Sequence, residues 1–472
     1  MIANIGGRRE LFLDEWLLAD LRGASLQLQR PERRETAFVW DAPWEGNVGG
    51  ANRVLAVDRG WRLYYRASIL DLKREDDTTV VALAESHDGL TFTRPDLGLV
   101  EFQQSRRNNI LQIGGGPNVP PPFYDTNPAC PPDQCFKGIA GYRYKAYALC
   151  SADGLSWRPM QEDALDLPGQ FDTINTAFWD RVTQCYRCYT RVYYDRDTRR
   201  LRQGAQRIGP NPTRAIQHAT SPDFIHWSPP ELLRYADGDC ATQFYTNAIL
   251  PCPGAEHFYL GFPNRFVAER KAEPAHPYGG VNDAVFMASR DGIHWRRWLD
   301  AWVTPGLDRR NWTDRNNYPA WGIAETSPAE WSLYITEHYR QTDTPLRLRR
   351  LSVRPWGFVS VRAAHTGGEV VTHPFIFSGA TLRLNAKTSA AGSIRVELQD
   401  ADGHPVPGLG LNDMAPWYGD ELTAPVSWKN GSDLSAYAGR PVRLRFCLQD
   451  ADLFAMQFAG HNLPVNRSSG IS

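Results

Sequence analysis

The chain has almost no excess charge of either sign: 52 lysines and arginines stand against 53 aspartates and glutamates, a formal net charge of −1. A protein that holds nucleic acid or an anionic membrane through its overall field carries a basic surplus, so neither partner is expected. Long apolar runs are missing as well. The longest are strand-sized and broken by charge, which argues against a transmembrane helix. Residues Met1 to Glu10 lack the apolar stretch and small-residue cleavage site of a secretory leader. A cytoplasmic protein is expected, or a periplasmic or secreted one if the chain is a processed form.

Cysteine is sparse, with eight in 472 residues: 130, 135, 150, 185, 188, 240, 252 and 447. A chain this long builds a core without disulfide staples. Cys185-x-x-Cys188 is the one metal-like spacing, and no second pair accompanies it. It lies in a strand-like run from Gln184 to Tyr194, where residues three apart face opposite sides. Reduced structural thiols are expected, with no metal and no organic cofactor.

What the chain does have is a repeat. Ser86-His87-Asp88-Gly89-Leu90-Thr91-Phe92 recurs as Ser151-Ala152-Asp153-Gly154-Leu155-Ser156-Trp157, as Ser221-Pro222-Asp223-Phe224-Ile225-His226-Trp227 and as Ser289-Arg290-Asp291-Gly292-Ile293-His294-Trp295. The four aspartates stand 65, 70 and 68 positions apart. One motif per near-constant period marks a repeat architecture. Serine and aspartate side chains bond local N–H groups and glycine accepts positive φ, so each copy reads as a tight turn between strands. The unit around it is a small antiparallel sheet, and a ring of such sheets is a β-propeller.

Each period divides into short strands rich in β-branched and aromatic residues. The first gives Ala51–Val57, Trp61–Ser68, Thr79–Glu85 and Leu90–Arg94. The second is interrupted by a proline-rich insertion, Pro117–Pro132. The third places its last strand at Ile225–Pro229, and the fourth ends on Ile293–Trp298. A fifth unit without the turn follows (Tyr318–Ile323, Glu330–Tyr339, Leu346–Val353), and Glu10–Asp14 or Leu26–Leu28 would supply its missing strand. Pairing the two chain ends would remove the ring's open edges. From about Ala363 the pattern changes to alternating strands at Thr381–Asn385, Ser393–Gln399, Ala424–Trp428 and Val442–Leu448, which reads as a β-sandwich. The expected architecture is all-β: a five-bladed β-propeller over residues 1–362, then a C-terminal β-sandwich over 363–472.

In a propeller the start of each first strand and the end of each second strand reach one central funnel. That geometry sorts the acids into Glu45, with Asp41 four residues earlier, then Asp125, Asp172 and Glu337. Arg66, Arg191 and Arg265 close second strands, where they would hold acids ionised or bind an anionic sugar. Asn247, Trp312, Arg315 and Tyr318 fall near first-strand starts. Trp44 and Trp312 are candidates to stack on sugar rings, and His338 adjoins Glu337. Glycosidic-bond cleavage needs two carboxylates facing across a sugar, one protonated and one ionised.

These turns, the five-fold period and the trailing β-sandwich resemble the five-bladed β-propeller glycoside hydrolases, the superfamily of invertases, fructanases, arabinanases and xylosidases. Leu11-Phe12-Leu13-Asp14, Arg34-Glu35-Thr36 with Trp40-Asp41, Phe171-Asp172 with Phe178-Trp179-Asp180, Tyr245-Thr246-Asn247 and Gly357-Phe358-Val359-Ser360-Val361 look like a bacterial subgroup of that class. The resemblance implies a hydrolase of a small glycoside, a furanoside included. It implies Glu45 or Asp41 as base or nucleophile, Asp172 or Asp125 as stabiliser and Glu337 as acid. The Asn-Asp-Pro-Asn-Gly, Arg-Asp-Pro and Glu-Cys signatures of fructan enzymes are missing, which argues against an invertase. The competing classes are a non-catalytic carbohydrate-binding propeller and a lyase or phosphorylase on the same scaffold.

Overall fold

In the computed structural model the described residues are 2–68, 79–198, 201, 212–238 and 241–460; Cys240 falls outside them. Strands dominate, and the helices among these residues are single 3₁₀ turns. None is long and apolar enough to cross a membrane. The sheets follow one another along the chain in a propeller-like arrangement. The first contains Val48–Val57, Gly60–Ser68, Val80–Ser86 and Ile110–Ile113, paired in that order. The second contains Phe123–Tyr124, Phe136–Tyr142, Lys145–Ser151 and Arg158–Pro159. The third contains Thr176–Asp180, Cys185–Asp195, Pro212–Ser221 and Glu231–Leu232. A seven-stranded fourth sheet is built around Val281–Ser289 and His294–Val303.

The next sheet joins Ala324–Ser327, Glu330–Glu337 and Arg347–Val353 to Glu32–Val39. An N-terminal strand does complete it, but neither expected segment is the one. Glu10–Leu11 and Ala24–Leu28 instead pair within a ten-stranded C-terminal sheet. Ala3–Gly6 and Leu18–Arg22 also pair there, across the expected boundary at 362/363. That sheet has its own core, from Ile5 and Phe12 to Phe446 and Phe458. Its strands at Thr381–Asp400 and Val442–Ala459 are far longer than expected, carried through irregularities at Asn385/Ala386 and Thr388/Ser393. Bulges let one strand bend and continue where sequence punctuation suggests a break.

The repeated turns form as expected. Ser86 Oγ accepts from Gly89 N at 2.9 Å and Asp88 Oδ1 from Leu90 N at 2.8 Å, and the other three copies repeat both bonds. The residues after the turn do not continue as the fourth strand in the first and third sheets. Leu90–Arg94 gives only one bridge, Glu85 to Thr93, and the outer strands are Ile110–Ile113 and Glu231–Leu232. The aromatic closing the motif turns inward, and the Trp157, Trp227 and Trp295 indoles donate back to the carbonyl three residues earlier.

One complementarity ties neighbouring sheets together. The residue opposite the turn serine is Trp61, Phe136 or Tyr186 in the first three sheets, and three positions on stand Tyr64, Ile139 and Tyr189. Tyr189 donates to the carbonyl of Gly292 in the next sheet's turn at 3.1 Å, and Tyr334 donates to that of Gly89 at 2.5 Å. A Cβ on Gly154 would stand 2.5 Å from the Tyr64 hydroxyl. Where the preceding sheet has Ile139, the turn has Phe224 in the glycine position, at φ +71°. Its ring is fully buried against Phe123, Tyr186 and Trp227. Tyrosine with glycine, or an aliphatic residue with phenylalanine, fills the same space. Gly292, at φ +78°, would put a Cβ 2.4 Å from Tyr189 Oη. Gly292→Ala is therefore expected to lower stability by about 2 kcal/mol in urea denaturation. An unchanged midpoint would remove the steric account.

The C-terminal sheet is pinned to the fourth sheet's turn. Arg290 donates to Glu10 at 3.0 Å and to Asp14 at 2.7 Å, and Arg8 donates to Glu10 at 2.6 Å. Burial opposes the Glu10 charge, but His257, Arg290 and Arg8 outweigh it and hold the carboxyl at about 2 against an ordinary 4.5. A depressed carboxyl stabilises the fold above its unfolded value and loses that contribution as pH falls through its folded value. The shift corresponds to roughly 3 kcal/mol. Glu10→Gln is expected to melt well below wild type at pH 7, with the gap closing between pH 4.5 and 2. A gap independent of pH would show that the charge is not the cause.

Candidate active site

The first sheet fixes which end is which. Val48, Gly49, Arg66, Ala67 and Ser68, at one end of its inner strands, line a cavity of about 220 Å³. Val57, Trp61, Ser86 and His87, at the other end, line a separate cleft of about 640 Å³ beside the repeated turns. The small cavity also receives Asp172 and Thr173 from the loop opening the third sheet and Tyr245 from the fourth. Arg315, Tyr318, Tyr339 and Arg340 come from the last of the series. Residues more than 290 positions apart in the chain thus meet at one point, as a propeller-like layout requires.

The cavity is rich in arginine. Arg191, with a side chain 3% exposed, donates through Nη2 to Asp172 Oδ1 from behind the cavity wall. Its remaining guanidinium nitrogens, Nε and Nη1, are buried with no hydrogen-bond acceptor among the described residues. Arg191 lies 4.6 Å from the Tyr245 ring centre, and Arg315 lies 4.8 Å from the same ring. Tyr245 in turn stacks on Tyr318 at 5.5 Å and 18°. These contacts fix a rigid aromatic wall between cations. The Tyr318 hydroxyl is buried without a hydrogen-bond partner among the described residues, and burial pushes its pKa well above 10.

One carboxylate, Asp172, lines the cavity, and a second, Asp314, lies behind the lining residues Arg315 and Arg340. Asp172 presents a side chain 66% exposed. Surrounding protein would raise its pKa, but the charge and hydrogen bond of Arg191, with the charge of Arg66, bring it below the ordinary aspartate value. Asp314 is buried, with a side chain 3% exposed, and accepts from Arg340 Nη1 at 2.6 Å. Arg315 Nε lies 3.5 Å and His276 Nε2 3.9 Å away. Burial raises the Asp314 carboxyl above its ordinary value against the pull of those three groups. The two acids therefore sit in surroundings that drive their protonation in opposite directions.

Of the residues singled out from sequence, Arg66, Asp172, Arg315 and Tyr318 line the cavity, and Arg191 touches it through Asp172. Glu45, Glu337 and Asp125 do not line it. Glu45 is fully buried: Arg94 donates to it at 2.9 and 2.6 Å, Tyr65 at 2.5 Å and the Ala42 N–H at 2.9 Å. Asp41 accepts from the same Arg94 at 2.9 Å. Glu337 accepts from Arg347 at 2.9 Å and Arg349 at 3.1 Å, with Arg33 at 3.5 Å. Its side chain turns toward those strands, while Tyr339 and Arg340, two and three residues on, enter the cavity. Asp125 follows the strand Phe123–Tyr124, so it lies at the turn end of its sheet. There it accepts from Lys137 at 2.5 Å and Tyr186 at 2.7 Å.

The other candidates have structural partners too. Trp44 donates to Asn109 at 3.0 Å, and Trp312 to the Gly306 carbonyl at 2.8 Å. Asn247 links the third and fourth sheets, accepting from Thr176 at 2.9 Å and donating to the Tyr189 carbonyl at 3.0 Å. Arg265 donates to both oxygens of Asp283 at 2.8 and 2.5 Å. His338 shares a 2.7 Å contact with Asp308. Sequence reasoning passed over Asp314, Tyr245, Tyr339 and Arg340. The signal for Asp314 was its place beside Arg315, in a loop already singled out.

No family model matches this chain, and no curated protein matches it in sequence. Solved structures do resemble it in layout. BT0996 in its RGII complex has 14% identity, covering 71% of this chain and 95% of its own at a TM-score of 0.44. The β-1,2-mannobiose phosphorylase from Listeria innocua has 12% identity over 69% and 97%, with a TM-score of 0.40. The GH32 β-fructofuranosidase of Bombyx mori has 9% identity over 92% and 95%, with a TM-score of 0.42.

Proposed function

We propose that the chain is a carbohydrate-active enzyme that hydrolyses a glycosidic bond in the arginine-rich cavity. In this reading the sheets form five blades of one ring, with the strand Glu32–Val39 closing it, and the C-terminal sheet is a sandwich-like buttress. The reading rests on one observation: the protonation of Asp172, which lines the cavity, and of Asp314, buried behind its lining arginines Arg315 and Arg340, is driven in opposite directions. Asp172, exposed and held ionised by Arg191, serves as the base or nucleophile. Asp314, kept toward its protonated form by burial, supplies the proton to the leaving oxygen. Tyr245 and Tyr318 form the wall against which a sugar ring packs.

A screen of aryl glycosides, furanosides included, tests this on wild type and variants. Turnover is expected to rise with pH as Asp172 ionises, below the ordinary aspartate range, and to fall as Asp314 loses its proton above it. The result is a bell whose two limbs lie on either side of the ordinary aspartate value. Asp314→Asn should lower the rate by about 10² or more for poor leaving groups, with less loss for nitrophenolates, which need little protonation. It should also flatten the alkaline limb. An unaltered profile would take Asp314 out of the chemistry.

A further inference from the structure

Arg66, Arg315 and Arg340 line the cavity with Asp172; with Arg191 paired to Asp172 and Asp314 paired to Arg340 from behind, four arginines stand against two aspartates, a surplus of two positive charges among the described residues. A neutral sugar does not require that surplus, and buried guanidinium N–H groups without acceptors are costly to maintain. The cations are not all spent on internal pairing. Among the described residues Arg66 donates one long hydrogen bond, 3.3 Å to the Asp172 carbonyl. Nε of Arg315 makes no hydrogen bond among the described residues, its ion pair with Asp314 being long at 3.5 Å, and two nitrogens of Arg191 are buried there without an acceptor. The Tyr318 hydroxyl, on a side chain lining the cavity, is equally unpartnered.

Arg66 closes a second strand of the first sheet, whereas Arg315 and Tyr318 precede the last of the series. The donors therefore approach from separate elements, as a group held between them requires. Guanidinium forks match the planar or tetrahedral oxygens of carboxylate and phosphate. Tyr318, whose phenol is held protonated, adds a neutral donor.

We infer that the cavity takes a sugar carrying an anionic substituent, a carboxylate or a phosphate ester, held by Arg66, Arg315 and the Tyr318 hydroxyl. The inference rests on the glycosidase reading for what is done to that sugar, but not for the binding itself. Asp172, drawn to Arg191, stays free of the anion and faces the sugar carbon.

Binding measured on the full-length protein by calorimetry and thermal shift tests it, with four probes: glucuronic acid, glucose 6-phosphate, glucose and inorganic phosphate. At least one of the two charged sugars is expected to bind at least about tenfold tighter than glucose, with affinity falling as salt is raised. Arg66→Gln and Arg315→Gln are each expected to weaken that binding about tenfold or more, and Tyr318→Phe by less. Glucose binding as tightly as both charged sugars would overturn the inference. So would anion binding unchanged in the Arg66→Gln, Arg315→Gln double variant. Inorganic phosphate binding as tightly as glucose 6-phosphate, with no contribution from the sugar, would also overturn it and assign the arginines to a free anion. Hydrolysis of neutral aryl glycosides that Asp172→Asn abolishes, without charged-sugar binding, would sink this inference and leave the glycosidase reading standing. Charged-sugar binding without turnover of any glycoside would support the inference and sink the other.

Discussion

Asp172→Asn is expected to reduce turnover by about 10³-fold or more on every substrate the wild type cleaves, and to lower stability by about 1–3 kcal/mol as the buried Arg191 loses its counter-charge. The side chain is exposed at the cavity, so losing its charge removes no buried packing. Its ion pair with Arg191 does lose strength, and that guanidinium already has two unpaired nitrogens. Rebinding of Arg191 to the substrate would appear as a lower KM, whereas loss of a base or nucleophile falls on kcat. The measurement is steady-state kinetics beside a melting curve. A folded variant with kcat within tenfold of wild type would end the assignment of Asp172 and with it the proposed mechanism.

Glu45→Gln is expected to do the opposite: to cost about 3–5 kcal/mol of stability while the protein that remains folded turns over normally. Glu45 is fully buried and neutralises Arg94, which also donates to Asp41 and to the Val39 carbonyl. Replacing its carboxylate with an amide leaves Arg94 short of a counter-charge and turns an N–H₂ toward the guanidinium. This network packs the N-terminal strand Glu32–Val39 against the first sheet, with Trp40 edge-on to Tyr65 at 5.5 Å. Denaturant melts at neutral pH and kcat per folded molecule check both halves. A stable Glu45→Gln protein without activity would restore Glu45 as a catalytic carboxylate and require a site other than the cavity described.

Legibility in the sequence differed by the range of the interactions concerned. The turn motifs were plain because Ser-x-Asp-Gly bonds lie within three residues. Local bonds leave a local signature, and so did the strand alternation around them. Closure was harder: the segments singled out were Glu10–Asp14 and Leu26–Leu28, while the strand that completes the sheet, Glu32–Val39, was not among them. Only the register of Glu32–Val39 against Arg347–Val353 identifies it. The candidate acids split for a similar reason. Glu337 is the last residue of its strand and its side chain reaches Arg347 and Arg349 on the neighbouring strand, whereas the chain leaves the strand at His338, φ +64°, and brings Tyr339 and Arg340 into the cavity.

The sequence by itself determined the repeated turns, the all-β character and the change of pattern after Ala363, since each depends on residues near one another in the chain. It also singled out Asp172, Arg66, Arg191, Arg315 and Tyr318 from strand position alone. Tertiary structure decided which acids are spent on internal ion pairs and which face solvent at the cavity. It also decided that residues 3–28 pair with the C-terminal sheet. Those outcomes depend on charges and backbone partners brought together from hundreds of residues away, and burial and counter-charge are properties of the assembled fold rather than of any segment.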